Sequence, residues 1–387
     1  MRIFVLGAGA TGSLLAHLLA RQGHDVWCGD RDIDRAHRFL GKQSGVPVFP
    51  ANARNLWSIV RAARSAHLVV NAGPAVYNRI VLRAALRLRA HYMDMASHLG
   101  SYPFKAEQVS FHRRFVAHRR TAVFNAGVAP GLTNLLVARS AELLDSIESV
   151  RIRLYESSES DDPISQWSGE EIFNEAVARP RIYRRGSFAF GPRFGEREKF
   201  RFPPPIGEVP VFLAAQDEVV TLPRSFSMHD MDEKIGGNEI DRLRRWYRQG
   251  KLSKSRGMAS RFPKTPTPRR VAKLIRAGLL QNARFAAAVV VSGARDDQPL
   301  QVRWDATFPS LYQIRLRGLY STPVAWATAQ LAATFVKHFP REDPGAFPPE
   351  LLPAETRKAI LRDVRSRDIQ MTVRETPLQK PDDDGED

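Results

Sequence analysis

The chain has 387 residues, enough for two modest cores, and its 43% hydrophobic and 26% charged residues are those of an ordinary globular protein. Its formal net charge is +17, but only eleven of the 58 basic residues are Lys and the Arg are scattered over the whole length, so nucleic-acid binding is not expected. The single cysteine, Cys28, excludes an internal disulfide, no apolar run reaches the ~20 residues of a membrane span, and MRIFVL leads directly into structural glycines rather than a removable leader; a cytoplasmic protein with no membrane attachment is expected.

The first predicted strand, Arg2 to Leu6, is a buried-type apolar run. It is followed by GAGATG, in which Gly7, Gly9 and Gly12 fit GxGxxG, while Ala10 and Thr11 open an amphipathic helix that runs to Arg21. That spacing needs a tight turn at Gly7, close approach of a pyrophosphate at Gly9 and close helix–strand packing at Gly12. The free N–H groups at the helix start suit the phosphates. A second strand ends near Gly29 and delivers Asp30, at the distance expected of the acid that accepts hydrogen bonds from a ribose. A carboxylate there repels a 2′-phosphate, so NAD is expected; the adjacent Arg31 could pair with that phosphate, which keeps NADP as the alternative.

Strand and helix patterns then alternate as in a doubly wound parallel sheet. VPVF, HLVVNAG, AHYMDMA and TAVFNAG read as strands, separated by helical patterns in NLWSIVRAAR, YNRIVLRAALRLR and KAEQVSFHRRFVAHR. The strands end in Asn71, Ala72 and Gly73, in Asp94, and in Asn125-Ala126-Gly127, all of which fall on the carboxyl edge where such sheets bind ligands. A second small-residue turn, NAGVAPGLTNLL, contains Gly127, Pro130 and Gly131 and launches another helix.

From Glu148 the pattern changes to longer alternating strands, SVRIRLYES, VPVFLAA and FAAAVVVSGA, which suits a sheet with one covered face. The expected organisation is a Rossmann α/β domain over 1–145 and a mixed α/β substrate domain over 146–330, with an acidic, disordered tail over 376–387. FRFPPPIGEVP and SKSRGMASRFPKTPTPRR read as ordered connectors or a mobile flap.

For chemistry, Asp94 at a strand end and Glu218 in DEVVTLP are the candidate catalytic carboxylates, against the plainer reading of Asp94 as a turn former. Glu170 and Glu171, just after Ser168, read first as a helix start. Lysine is absent between Lys42 and Lys105 and between Lys105 and Lys199, so these motifs offer no Schiff-base residue. No HExxH or matching Cys set exists, and no metal is expected.

GAGATG, GDRD, VVNAGPAVYN, HYMDMA and above all NAGVAPGLTNLL resemble the saccharopine dehydrogenase-like oxidoreductases, and the resemblance continues through WSGEEIFNE, DEVVTLPRSF and PGAFPPE. It implies a Rossmann domain followed by a substrate and dimerisation domain, a return of about 330–375 to the first domain, and a homodimer. It also implies that Gly127, Pro130 and Gly131 shape the floor beside the nicotinamide, where a side chain at Gly131 would enter the ring's space. The implied activity is NAD(P)-dependent oxidation or reduction of a C–N bond in an amino acid or polyamine-like amine, most like that of a lysine 6-dehydrogenase. A non-catalytic dinucleotide sensor or scaffold is the alternative.

Overall fold

The computed structural model describes residues 1–41, 44–100, 102–252 and 262–379. The segment SKSRGMASR and the end of the acidic tail lie outside them. The first strands are β1 (Arg2–Leu6), β2 (Asp25–Asp30), β3 (Val48–Pro50), β4 (Leu68–Asn71), β5 (His91–Asp94) and β6 (Thr121–Val123). They are interleaved with α1 (Ala10–Arg21), α2 (Ile33–Leu40), α3 (Leu56–Ala62), α4 (Asn78–Arg87), α5 (His112–Ala117) and α6 (Leu132–Ala141). Strands β1 and β4 are buried on both faces, which is why they read as continuous apolar runs rather than alternating ones.

Two sequence-level boundaries shift. TAVFNAG is strand only to Val123, because the chain turns at Asn125, whose φ is +60°, to present the second glycine turn. KAEQVSFHRRFVAHR is not one helix but a 3₁₀ turn, Glu107–Phe111, followed by α5. The 3₁₀ turn buries Gln108 against the strand ends, a polar anchor that a smooth amphipathic helix would not need.

The second region contributes β7 (Ser146–Ser160), α7 (Gly169–Val177), β8 (Arg181–Arg184), β9 (Ser187–Phe190), β10 (Glu198–Phe202), β11 (Gly207–Leu213), α8 (Glu218–Ser225), β12 (Asp230–Gly236), β13 (Leu280–Arg295) and β14 (Gln298–Thr307). Beyond it come the helix Pro323–Lys337, β15 (Gly345–Phe347), a 3₁₀ turn at Pro349–Leu351, the helix Ala354–Arg365 and β16 (Gln370–Pro377).

The first sheet runs β15-β6-β5-β4-β1-β2-β3, all parallel, so strand order reverses between β1 and β4. The second runs β10-β11-β12-β7-β13-β14-β16, with β8 and β9 attached at β12. Only β12 and β7 are parallel within it. The two sheets make an α/β molecule with a Rossmann-type first half and a mixed second sheet.

The chain's last hundred residues serve both sheets. The helix Pro323–Lys337 packs on α1 and β15 lengthens the first sheet beyond β6. β16 instead pairs antiparallel with β14 from Gln370 to Pro377, so Thr376 and Pro377 are strand residues. Among the described residues no helix is long and apolar enough to cross a membrane, and no group of three His, Cys, Asp or Glu is disposed to hold a metal.

Candidate functional site

The site lies at the carboxyl edge of the first sheet, where β1 and β4 diverge. Gly7 has φ +94°, and a Cβ there would stand 2.8 Å from the Gly73 N and 2.9 Å from the Ala72 carbonyl carbon. A Cβ on Gly12 would be 1.9 Å from the Gly7 O. These two glycines are therefore required by the protein's own packing. Gly9 differs: the nearest atom to a Cβ there is an Arg35 guanidinium nitrogen at 3.6 Å, so the space above it is open. No side chain caps α1, leaving the first N–H groups, at Ala10 and Thr11, pointing into that space. An open concavity above one glycine, bounded by uncapped N–H donors, fits a pyrophosphate.

Asp30 ends β2 beside this cradle. Its Oδ2 accepts from the Ala8 N–H at 2.9 Å and its Oδ1 from the Asp32 N–H at 2.9 Å. The carboxylate thus ties the glycine loop to the start of α2 and keeps a lone pair on each oxygen for a ribose. Arg31 is exposed, and Arg35 lies over the Phe39 ring at 5.2 Å, reaching toward Gly9. Sequence reading passed over Arg35, because only the fold brings α2 back above the loop.

Asn71 closes the far side. Its Oδ1 accepts from the Gly73 N–H at 3.1 Å and its Nδ2 donates to Asn78 Oδ1 at 2.7 Å. Asp94 continues the same buried network rather than facing the open edge. The Tyr92 hydroxyl donates to its Oδ2 at 2.8 Å, Gln108 Nε2 donates to the same oxygen at 2.9 Å, and the Asn125 N–H donates to its Oδ1 at 2.8 Å. Burial pushes its pKa up to about 7, while those hydrogen bonds pull it down. At 1% exposure Asp94 has no face left for a substrate. It pins β5 to β6, a role that a strand-end position alone does not reveal.

The second turn is built by closure on itself. The Gly127 N–H donates to the Pro130 carbonyl at 3.0 Å, and the Leu132 N–H to the Gly127 carbonyl at 3.1 Å. Gly131 has φ +138°, and a Cβ there would lie 2.0 Å from the Gly127 O. Its lack of a side chain is therefore demanded by the turn itself. The expectation that a Gly131 side chain would intrude on a ligand is corrected: it would strike Gly127 first. Beside the turn, Asn125 is fully buried and its Nδ2 has no partner, an orphaned donor at the same strand edge as Gly127.

One carboxyl of the second region, Asp217, meets this edge, and further carboxyls lie behind it. Asp217 Oδ2 accepts from the Ser97 N–H at 2.8 Å, across from the loop after β5. Burial raises Asp217 to about 6, against the Ser97 bond and the Arg181 charge, which lower it. Gln216 Nε2 reaches Glu175 Oε2 at 3.1 Å, and Glu175 lines a pocket with Glu156, Glu239, Arg193, Ile172 and Leu213. Burial and then the neighbouring Glu239 push Glu156 up to about 8. Burial, then Asp217, Glu156 and Glu171, hold Glu175 far above its ordinary value. Glu239 pairs with Arg242, but among the described residues no ion pair engages Glu156, Glu175 or Asp217. Arg181 and Arg193 are nearby cations; Arg181 spends its hydrogen bonds on the Leu99 and Pro103 carbonyls and Arg193 donates to the Ala178 carbonyl.

Glu218 is fully buried, with Oε1 2.7 Å from the Thr133 hydroxyl. It lies near Glu233, whose carboxyl oxygens are buried without hydrogen-bond partners and whose pKa is held well above the ordinary value by burial and then by the Glu218 charge. Of the acids in DEVVTLP, it is Asp217, not Glu218, that keeps partial access to the crevice. Alternation in a short helix start cannot tell such neighbours apart. No sequence pattern marks His98, on the same loop as Ser97; burial and then Arg181 lower its pKa.

Comparison with known proteins bears on this geometry. Residues 3–127 match the family model of the saccharopine dehydrogenase NADP binding domain. The carboxynorspermidine synthase of Vibrio cholerae serotype O1 is 24% identical over 176 residues, covering 39% of this chain and 42% of that protein, so the aligned stretch is less than half of that relative's length. The apo histidine-tagged saccharopine dehydrogenase (L-Glu forming) from Saccharomyces cerevisiae superposes with a TM-score of 0.71 over 97% of this chain and 99% of that one, at 11% identity, which is a likeness of fold.

Proposed function

From the match of residues 3–127 to the saccharopine dehydrogenase NADP binding domain, we propose that the chain is an NAD(P)-dependent oxidoreductase of that family acting on a C–N bond of an amine or amino acid. The observation that carries the substrate side is the group of carboxyls, Asp217, Glu175 and Glu156, without ion pairs among the described residues, in a protein of net charge +17. Unpaired carboxyls are costly to bury, and an ammonium group bound among them would relieve that cost.

The cradle above Gly9, the N–H groups of Ala10 and Thr11, and Asp30 would hold the dinucleotide at its pyrophosphate and ribose. The turn at Gly127, Pro130 and Gly131 would flank its nicotinamide end. When bound, the nicotinamide supplies a hydride acceptor or donor for the carbon that bears nitrogen. Asp217, ionised at neutral pH with its pKa of about 6, holds the substrate ammonium at the sheet edge and accepts a proton as the amine is released from its charged form. Ser97 orients that carboxylate through its N–H. Glu175 and Glu156, in the pocket behind Asp217, hold a second cationic or polar group. A lysine-like or polyamine-like skeleton, with charges separated by methylenes, fits this arrangement of acids beside Ile172 and Leu213.

The test is an absorbance screen at 340 nm with NAD and with NADP against a panel of amino acids, diamines and polyamines. A signal from an amine bearing two charged nitrogens supports the reading. Tight dinucleotide binding with no turnover of any amine would replace it with the non-catalytic sensor.

A further inference from the structure

The segments DEVVTLPRSF and PGAFPPE lie far from NAGVAPGLTNLL in sequence, yet all three meet at the first turn of α6. Thr133 and Asn134, both fully buried, are the meeting point. The Thr133 hydroxyl lies 2.7 Å from Glu218 Oε1 and 3.1 Å from the Val128 carbonyl, which is inside the glycine turn. Asn134 Oδ1 accepts from the Gly131 N–H at 2.9 Å, the peptide that carries the left-handed φ. The other end of the same side chain, Nδ2, donates to Glu350 Oε2 at 3.0 Å and to Thr221 Oγ1 at 3.2 Å. Glu350 Oε1 in turn accepts from Ser225 Oγ at 3.2 Å.

Every acceptor in this set is buried, and each side chain that touches the turn is oriented by a group from outside the first domain. Glu218, Thr221 and Ser225 come from α8, and Glu350 from the 3₁₀ turn after β15. Packing of the turn alone would need none of these polar groups. A buried carboxyl carries a desolvation cost that an apolar side chain of the same size avoids, so the network's product is geometry.

We propose that Thr133, Asn134, Glu218 and Glu350 are positioning residues that hold the Gly127–Gly131 turn in register with the reacting end of the dinucleotide. This inference rests on the reading of that turn as the nicotinamide end. The Thr133 hydroxyl lies between Glu218 and the Val128 carbonyl and so ties the glycine turn to α8, and Glu350 sets the Asn134 amide so that its oxygen meets the Gly131 N–H. The second region thus shapes a surface of the first at the place where cofactor and substrate would meet, while the pyrophosphate cradle at Gly9 is left untouched.

The separation of the two ends gives the test, which needs no knowledge of the substrate. Affinities for reduced dinucleotide and for ADP-ribose, which lacks the nicotinamide end, are measured by calorimetry for wild type, Thr133→Val, Thr133→Ser and Glu350→Gln, each with a melting curve. Thr133→Val should weaken the reduced dinucleotide about tenfold and ADP-ribose less than twofold, and Thr133→Ser should restore wild-type affinity. Glu350→Gln, which keeps shape and an acceptor, should fall between them. With an amine substrate in hand, Thr133→Val should lower kcat by up to about 100-fold, the effect of roughly 1 Å of misplacement, with KM little changed. Equal loss of both ligands in parallel with a lowered melting point would overturn the inference, as would unchanged affinity for both. Binding of neither ligand by wild type would instead sink the dinucleotide reading on which it depends.

Discussion

Gly9 and Gly131 have the same side chain for opposite reasons, and substitution separates them. A Cβ at Gly9 meets nothing closer than an Arg35 nitrogen at 3.6 Å. Gly9→Val should therefore fold and melt like wild type while losing dinucleotide affinity by 100-fold or more, because the branched side chain occupies the pyrophosphate's space. A Cβ at Gly131 meets the Gly127 O at 2.0 Å, and its φ of +138° is itself unfavourable for any other residue. Gly131→Ala should cost about 1–3 kcal/mol from backbone strain alone, with the clash added, and show as a lowered melting temperature. A stable Gly131→Ala variant would contradict the account of the second turn. At the cofactor's other end, Asp30 should give NAD tighter binding than NADP. Asp30→Ala should narrow that gap and weaken both, since it also frees the Ala8 and Asp32 N–H groups. A clear NADP preference in wild type, with Arg31 and Arg35 so close, would overturn the role given to Asp30.

At the scale of elements, α7 and α8 carry the charge that the proposed substrate would meet. Asp217 at the threshold of α8 has a pKa of about 6, so it is ionised at pH 7.5 and neutral at pH 5. KM for the amine should rise as pH falls through about 6, and Asp217→Asn should raise KM at pH 7.5 about tenfold and flatten that limb. Glu156, at about 8, and Glu175 hold protons at neutral pH without a ligand. Binding a cation there should expel protons, which calorimetry in two buffers of different ionisation enthalpy would register. Uptake of protons, or no buffer dependence, would remove the pocket acids from the substrate site.

These elements also mark where sequence reading stopped. GAGATG, Asp30 and the strand ends were legible because each is local: a turn, a helix start, an acid one strand later. The acids of the second region are visible in sequence as residues but not as a group, because Glu156, Glu175 and Asp217 come from β7, from α7 and from the start of α8. The burial of Asp94 is hidden from the sequence for the same reason. Its partners Gln108 and Asn125 lie in the 3₁₀ turn after β5 and just past the end of β6, and they bury a carboxyl that strand position alone would leave open.

Across the whole molecule the buried acids have a consequence for stability. Asp94, Glu107 and Glu218 are raised to about 7 and Glu156 to about 8, all by burial. Between pH 6.5 and 8.5 the unfolded chain has already lost these protons while the folded chain still binds some, so folding stability falls as pH rises. Carboxyls held low by Arg or Lys, such as Glu198 and Asp363, titrate below this window, while histidines with lowered pKa, such as His91, oppose the trend only at its lower end, where unfolded imidazoles still bind protons that the folded ones do not. The melting temperature without ligand should therefore be higher at pH 6.5 than at pH 8.5, and a cationic ligand should reduce the difference. The positive charge carried mostly by scattered Arg should give duplex DNA no better than ~10⁻⁵ M affinity at physiological salt, falling steeply as salt is added.

The central claim is that hydride moves to or from a carbon bearing nitrogen, at an edge where carboxyls hold the substrate's charge. It is tested most directly by pairs of compounds with one skeleton, an amine and the matching alcohol, assayed with the preferred dinucleotide at 340 nm in wild type and in Asp217→Asn. The account predicts saturable turnover of the amine, loss of most of that turnover at subsaturating amine in Asp217→Asn, and none with the alcohol. Turnover of the alcohol at a rate equal to or above that of the amine, unaffected by Asp217→Asn, would contradict it.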